Sequence, residues 1–488
     1  MLNKDQKALL DQLLSSASPE QKIWLAGFMQ GQVGLGTLGA EASASAANKP
    51  PVMIYYATET GNSKALSLNL MKSIKAAGFK VKNAAVNRLK PEDIDTKTLT
   101  IFLCSTHGEG DPPETAVPFF EKIKAASNDA LKGLQYAVLG LGDKSYEIFC
   151  GAATDLDTEL KRLGGEAFQE TALFDVDYTA HTPKWIEETV TALNKLAGDT
   201  GAPAPALISA DDHILRTGKG YTRLEPVKGI IKDTLILNDH DSNKKTYHIE
   251  VTYEDDIHYT CGDAIGIMLP NDETPRLYSI ASSPSYHEGE IHMTVALATY
   301  TKEDGSIGYG IASKYLADLK EGDEISFYIS QNQLFNLAPD DQDIIMVGPG
   351  TGIAPFRSFI FERSERGASG KNWLFFGDQH AHCDFLYQAE WQELLATEGL
   401  HKIDLAFSRD QEEKIYVQDR IRENADEIMT WFDNGAVFYV CGAKDPMSKD
   451  VHKTLVDIIS QRKSIDNEAA EDYLAEMEEQ GRYLRDVY

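Results

Sequence analysis

The stretch VMIYYATETGNSKAL, residues 52–66, reads as a strand, a loop and a helix in succession. The apolar run Val52–Ala57 ends at a turn of hydroxyls and glycine, TETGNS (58–63), and a helical pattern starts behind it. Such a turn at the carboxyl end of a strand presents unpaired backbone N–H groups and the positive end of a helix dipole, which suits a phosphate. It is not a nucleoside-triphosphate loop, because G-x-x-x-x-G-K-S/T is absent and Lys64 lies inside the helix, beyond the turn. An ordinary strand-to-helix turn with Thr58 or Thr60 as N-cap accounts for the same residues. The rest of the chain decides between the two readings.

Downstream, short apolar runs (LTIFLCST, YAVLGLG) alternate with helical segments to about Gly198, as a doubly wound parallel sheet requires. Ligands of such sheets lie at the carboxyl ends of the strands. Three loops fall there: TETGNS, STHGEGDPP (105–113) and LGDKSYEIFC (141–150). After the Pro/Ala stretch GDTGAPAPALIS the sequence turns β-rich, with TYHIEVTY (246–253) and EIHMTVALATY (290–300), and a barrel is expected. A second strand, glycine turn and helix begins at DIIMVGPGTGIAPFRSF (343–359), and βα alternation continues from it. The fold class expected is therefore multidomain α/β, with an antiparallel β-barrel between two α/β units.

Ahead of all this, Leu9, Leu10, Leu13 and Leu14, then SPEQKIWLAGFMQG, have the spacing and start signals of two short amphipathic helices. The apolar face containing Leu9, Leu13, Trp24, Leu25 and Phe28 needs a cover, and self-association through these helices is expected. The small-residue stretch behind them reads as a tether. The expected division is a helical oligomerisation segment at 1–33, a linker at 34–51, a doubly wound unit at 52–198, a linker at 199–213, a barrel at 214–338 and a nucleotide unit at 339–488.

A formal net charge of −29 on 488 residues excludes a nucleic-acid binder and suits an acidic face that steers toward a basic protein partner. Five scattered cysteines without C-x-x-C spacing exclude a disulfide framework and a cysteine-rich metal or iron–sulfur site. With no secretory signal and no apolar stretch near ~18 residues, a soluble protein of the cytoplasm is expected, bound neither to membrane nor to nucleic acid.

The three loops together resemble those of flavodoxins. That resemblance implies FMN: Thr58, Glu59, Thr60, Gly61, Asn62 and Ser63 around its phosphate, and Ser105, Thr106, His107 and Gly108 beside the ring. In the third loop, Leu141, Gly142, Asp143, Lys144 and Ser145 precede Tyr146, whose ring is placed to stack on the flavin, and Glu147, Ile148, Phe149 and Cys150 follow. Asp143 could bond or electrostatically tune the flavin, whereas Glu109 reads as a solvated acid. His107 stands where P450-type reductases carry a tyrosine, and is held as a backbone contact or a plain surface histidine.

RLYSIASSP (276–284) resembles the FAD signature of ferredoxin–NADP reductases. Arg276 would meet the pyrophosphate and Tyr278 would stack on the ring, with Leu277 between them and Ser279 near the atom that receives hydride. The same resemblance implies adenosine-side contacts at Thr294, Val295, Ala296 and Tyr300, and pyrophosphate contacts from GIAS, that is Gly310, Ile311, Ala312 and Ser313. In the last unit, Gly350 and Thr351 lie in the glycine turn, while SRDQEEKIYVQD (408–419) resembles a site for the 2′-phosphate of NADPH, built from Ser408, Arg409 and Lys414 with Ile415, Tyr416, Val417 and Gln418. Asp450 matches a nucleotide position, and Cys441 one beside the nicotinamide. The end of the chain resembles the family's final aromatic over FAD, which would be Tyr488, with Asp486 near the nicotinamide; Ser279, Cys441, Asp486 and Tyr488 are thus the catalytic candidates.

In order of units the chain is similar to diflavin reductases, and among them to the flavoprotein subunits of assimilatory NADPH–sulfite reductases. The resemblance implies a relay from NADPH through FAD and FMN to a haemoprotein subunit that reduces sulfite to sulfide. A diflavin reductase serving a P450-type haem acceptor, and a flavodoxin-like carrier without NADPH activity, are the alternatives. One departure stands out. Relatives carry a helical insertion before R-x-Y-S, whereas CGDAIGIMLPNDETPRLYSI (261–280) passes directly from one strand to the other.

Overall fold

The computed structural model describes residues 49–198, 216, 218–302 and 304–488. The helices expected in residues 1–33, most of the tether and the second linker lie outside the described residues.

Six strands form the first sheet: β1 (Val52–Ala57), β2 (Val81–Ala85), β3 (Leu99–Ser105), β4 (Gln135–Leu141), β5 (Glu166–Ala167) and β6 (Ala172–Phe174). All pairs are parallel, in the order β2-β1-β3-β4-β5 with β6 also on β4. This is the flavodoxin-like order, whose strand order switches direction between β1 and β3. Helices α1 (Asn62–Ala76) and α4 (Tyr178–Leu196) bury one face, while α2 (Val117–Ala125) and α3 (Gly151–Arg162) bury the other. Ile54 and Ile101 belong to the first core, Tyr55 and Phe102 to the second, which is why these strands read as unbroken apolar runs.

The middle unit is antiparallel: β7 (Val227–Ile236), β8 (Thr246–Tyr253), β9 (Ala264–Leu269), β10 (Asp272–Ser279), β11 (Glu290–Ala296), the hairpin β12 (Thr299–Thr301) and β13 (Ile307–Tyr309), helix α5 (Ile311–Asp318) and β14 (Glu324–Ser330). The strand path β10-β9-β14-β7-β8-β11 is closed by a bridge between Ile280 and Met293, around a core that includes Ile231, Val251, Ile267 and Phe327. Only Pro270 and Asn271 separate β9 from β10. The barrel closes without any insertion at that place.

The last unit contains β15 (Ile344–Val347), α6 (Ala354–Arg366), β16 (Asn372–Asp378), α7 (Ala381–Asp384), α8 (Gln388–Ala396), β17 (Lys402–Phe407), α9 (Val417–Glu423), α10 (Ala425–Asp433), β18 (Val437–Gly442), α11 (Lys449–Lys463), α12 (Asn467–Glu479) and β19 (Tyr483–Val487). Its sheet is parallel, in the order β17-β16-β15-β18-β19, so the last strand of the chain forms one edge.

Direct contacts join the first sheet unit to the barrel unit. Arg223 (its side chain 14% exposed) places Nε 2.7 Å from Asp143 and Nη2 3.2 Å from Asp175. The Thr274 hydroxyl donates to the Ser145 carbonyl (2.9 Å), and the Gln333 N–H to the Thr60 carbonyl (2.9 Å). Truncating one partner of a buried ion pair leaves uncompensated charge and costs about 3–5 kcal/mol. Arg223→Ala therefore frees the first unit, and small-angle X-ray scattering should record a larger radius of gyration than for the parent chain; an unchanged radius would mean that the backbone contacts suffice.

Candidate active site

The turn between β1 and α1 is held by one internal hydrogen bond. Helix α1 has Gly61 as N-cap, at φ +94°, and no side chain caps it. The Thr58 hydroxyl accepts the Gly61 N–H (3.0 Å), so the N-cap role open to Thr58 or Thr60 is filled by glycine instead. A left-handed backbone explains the choice. Eight buried side-chain polar atoms lack a partner among the described residues, and four of them lie in the three loops: Asn62 Oδ1, Ser63 Oγ, Thr106 Oγ1 and Ser145 Oγ. Buried polar groups are normally paired, so this concentration marks groups that fit a polar ligand. Hydroxyls and an uncapped helix suit the FMN phosphate.

Around these atoms the loops are tightly held. Tyr146 is half-buried between Asp143 and Arg276, and burial pushes its phenol up. The Glu59 carboxylate accepts the Glu114 N–H (3.0 Å), and the Ser105 hydroxyl donates to the Ala57 carbonyl. Glu109, Lys144, Glu147 and Ile148 are exposed; Leu141 and Cys150 are buried, and Gly142, its nearest Cβ neighbour being Cys150, is close-packed. Two of the candidate residues are engaged by the protein itself. The His107 N–H donates to the Asp111 carbonyl and its own carbonyl accepts the Asp111 N–H, which closes the glycine-rich turn. Asp143 accepts from Arg223 and from the Ser145 N–H (2.7 Å), which makes its carboxylate a clamp between units.

Strand register brings three of the candidate catalytic residues together. Pairing of β18 with β19 puts Asp486 opposite Cys441. The Ser279 hydroxyl, at the end of β10, donates to Asp486 Oδ2 at 3.4 Å, and the Cys441 sulfur lies 4.0 Å from the same oxygen. Burial is the main cause that lifts the Asp486 carboxyl to about 6, and it pushes the Cys441 thiol well above its usual value. Tyr488 is tied down on both sides: its N–H donates to the Gly442 carbonyl, its carbonyl accepts from Lys444, and its hydroxyl is 3.2 Å from Thr351 in the glycine turn. The residue as a whole remains 60% exposed. Displacing one aromatic ring costs ~1.5 kcal/mol or more, so a chain lacking Tyr488 should show a KM for NADH lowered about tenfold while retaining FAD; unchanged nucleotide kinetics would remove the ring from the entry path.

Arg276 turns Nη1 onto the Thr274 and Pro275 carbonyls, with Nη2 3.5 Å from Asp272. Tyr278 is half-buried against the barrel core, and Leu277 is exposed. Val295 is buried in the barrel, Ala296 and Tyr300 are exposed, and Thr294 is buried with its hydroxyl on Tyr387 (2.6 Å). GIAS forms the head of α5, where Gly310 is the N-cap and Ser313 accepts the Ala298 N–H.

In the last unit, Gly350 and Thr351 open a single 3-10 turn ahead of α6. A Cβ on Gly352 would stand 2.1 Å from the Cys441 carbonyl oxygen, so glycine is required for the turn to approach β18. Ser408 and Arg409 donate their N–H groups to Asp378 and Gln379, which brings the ends of β16 and β17 together. Among the described residues, Arg409 is the only arginine whose guanidinium makes neither a hydrogen bond nor an ion pair. Lys414 is also exposed and unpaired, in a chain with 76 carboxylates. Beside them Gln379 Oε1 is buried without a partner. The set fits an anionic nucleotide. Tyr416 caps α9 and is exposed, Ile415 is half-buried, Val417 is buried, and Gln418 donates to Asp450 (3.3 Å), so those two expected residues do meet.

Lys244 was not visible as a site residue. It precedes β8 in the barrel, yet its ammonium sits on the nearly buried carboxylate of Asp378, whose other oxygen is 3.9 Å from where a Cβ on Gly350 would stand. A lysine pair in a polar loop carries no signal of a contact more than a hundred residues away.

A flavodoxin sheet joined to an FAD-type barrel and a nucleotide fold, with one acid, hydroxyl and thiol cluster between the last two, defines a diflavin reductase. Models of three families match in the same order: flavodoxin at residues 54–187, FAD binding domain at 274–315 and oxidoreductase NAD-binding domain at 346–453. Over its whole length the chain is 34% identical to the sulfite reductase (NADPH) flavoprotein alpha-component of Bacillus subtilis, covering 98% of that protein. It is 33% identical to those of Vibrio cholerae (96% covered) and Klebsiella pneumoniae (98% covered). The chain belongs to this family of flavoprotein alpha-components. The alignment with the Bacillus protein runs over 603 positions, to which this chain contributes 488 residues, so about 115 of them have no counterpart here.

Proposed function

We propose that the chain is the NADPH-oxidising flavoprotein of an assimilatory sulfite reductase, passing electrons from NADPH through FAD and FMN to a haem-bearing subunit that reduces sulfite to sulfide. The observation that carries this reading is the convergence of Ser279, Cys441 and Asp486 between the FAD motif and the glycine turn. Flavins supply what no side chain can: they take two electrons together and release them singly. The protein's own groups do the rest. Arg409, Lys414 and Ser408 select the 2′-phosphate, and the turn at Gly350–Ile353 brings the nicotinamide end toward Cys441. Asp486, ionised above about pH 6, would favour positive charge where the nicotinamide loses hydride, and the Ser279 hydroxyl and the Cys441 thiol, which burial keeps protonated, both face its Oδ2 and hold it in place. Asn62, Ser63, Thr106 and Ser145 hold FMN.

In this reading residues 52–198 carry FMN, 214–338 FAD and 339–488 NADPH, and residues 1–33 assemble copies of the chain. Among the described residues no helix is long and apolar enough to cross a membrane, and we place the protein in the cytoplasm. Flavin extraction and chromatography decide the relay: one FAD and one FMN per chain, with NADPH-dependent ferricyanide reduction, is expected. A single flavin would reject it.

A further inference from the structure

We propose that Asn332 is a positioning residue for the reductase reaction: its amide holds the Asp486 carboxylate in place for hydride transfer, and its turn ties that carboxylate to the FMN-binding loop. The inference rests on the function proposed above. Asn332 follows β14, in a turn with no periodic or motif signal. Its Nδ2 lies 3.3 Å from Asp486 Oδ1, opposite the oxygen that Ser279 and Cys441 face. The orientation of the amide is determined, because Oδ1 accepts the N–H groups of Leu334 (3.1 Å) and Phe335 (3.2 Å), which leaves the amino group to face Asp486. The turn itself is anchored: the Asn332 N–H donates to Asp263 Oδ1 (2.9 Å), a buried carboxylate that also holds Thr260.

The next residue completes the connection. The Gln333 N–H donates to the Thr60 carbonyl in the phosphate loop of the first unit, and the Gly61 position is packed on the Gln333 and Leu334 side chains. One short turn therefore touches the FMN loop with one peptide and the hydride-site carboxylate with the neighbouring side chain. Proper seating of one unit is felt at the other.

The groups facing Asp486 are Ser279 from β10, Cys441 from β18, Glu59 from the phosphate loop, Tyr488 from its own strand and Asn332. Arg485 points away, over the Tyr483 ring and toward Glu478. Among the described residues no cation lies within 4.0 Å of Asp486; the Ser279 hydroxyl offsets part of its burial, Glu59 opposes it, and the Asn332 amide faces the other oxygen. A hydrogen bond given to a carboxylate favours the ionised form, and its removal raises the pKa.

Asn332→Asp tests this with the turn intact, since an aspartate oxygen still accepts from Leu334 and Phe335; Asn332→Ser keeps a shorter acceptor and adds no charge. The carboxyl titration of Asp486, isolated by subtracting the infrared spectrum of Asp486→Asn, should have its midpoint near 6 in the parent protein. It should move up by about one unit or more in Asn332→Asp, and by less in Asn332→Ser. In stopped-flow reduction by NADPH the apparent pKa should move with it. An unmoved infrared midpoint in both folded variants would overturn the role of Asn332. Absence of NADPH-dependent flavin reduction in the parent would instead reject the proposed function, while the infrared midpoints still decide whether Asn332 governs Asp486.

Discussion

Replacing Asp486 with asparagine lowers the rate of hydride transfer from NADPH by about a hundredfold or more, and removes the rise of that rate as pH passes through 6. Positioned acid–base and charge effects contribute ~10²–10⁴ in rate, and Asp486 is the carboxylate that meets both Ser279 and Cys441. Asparagine preserves the shape and the bond from Ser279 while discarding the charge. The same substitution should stabilise the fold at alkaline pH. Folding raises the carboxyl from 3.8 to about 6, so the group stabilises the native state while protonated, and that contribution is lost as pH rises through 6. The amide escapes this loss, worth up to about 3 kcal/mol at pH 8. A variant that is slower yet melts later, read by stopped-flow absorbance and calorimetry, marks a group kept for its chemistry. Equal rates in the two proteins would move the chemistry elsewhere.

Arg409→Ala has the second largest effect, and it falls on one cofactor. A charge-assisted hydrogen bond is worth ~1.5–3 kcal/mol, which corresponds to a KM for NADPH raised roughly 10- to 100-fold, with NADH nearly untouched. The guanidinium has no other employment among the described residues, so its loss disturbs no structural ion pair. Steady-state kinetics with both cofactors distinguish the outcomes. Parallel losses for NADPH and NADH would place the 2′-phosphate away from Arg409.

The parts of this architecture written in local pattern were legible in the sequence. Strands buried on both faces, such as Leu99–Ser105, announce themselves as apolar runs, and the loops at their ends follow from the parallel topology. Residues in one loop, such as Ser408 and Arg409, keep their proximity whatever surrounds them. Contacts between units have no such signature. Arg223 with Asp143, Lys244 with Asp378, and Asn332 with Asp486 each join distant parts of the chain through a single pair of side chains. The turn at His107 is hidden for a related reason: its two bonds to Asp111 depend on the positive φ of Gly108 and Gly110, which residue identity alone only permits. The N-cap of α1 was decided likewise, by backbone geometry rather than by hydroxyl chemistry.

The edge strand β19 pairs with β18 alone and carries Asp486. A strand held on one side only can part from its sheet without unravelling the strands behind it, and such local openings cost less than global unfolding. Amide exchange along Tyr483–Val487 should therefore run ahead of exchange in the central strand β15, so that the candidate carboxylate is withdrawn from Ser279 and Cys441 in brief excursions that leave the rest of the nucleotide unit standing.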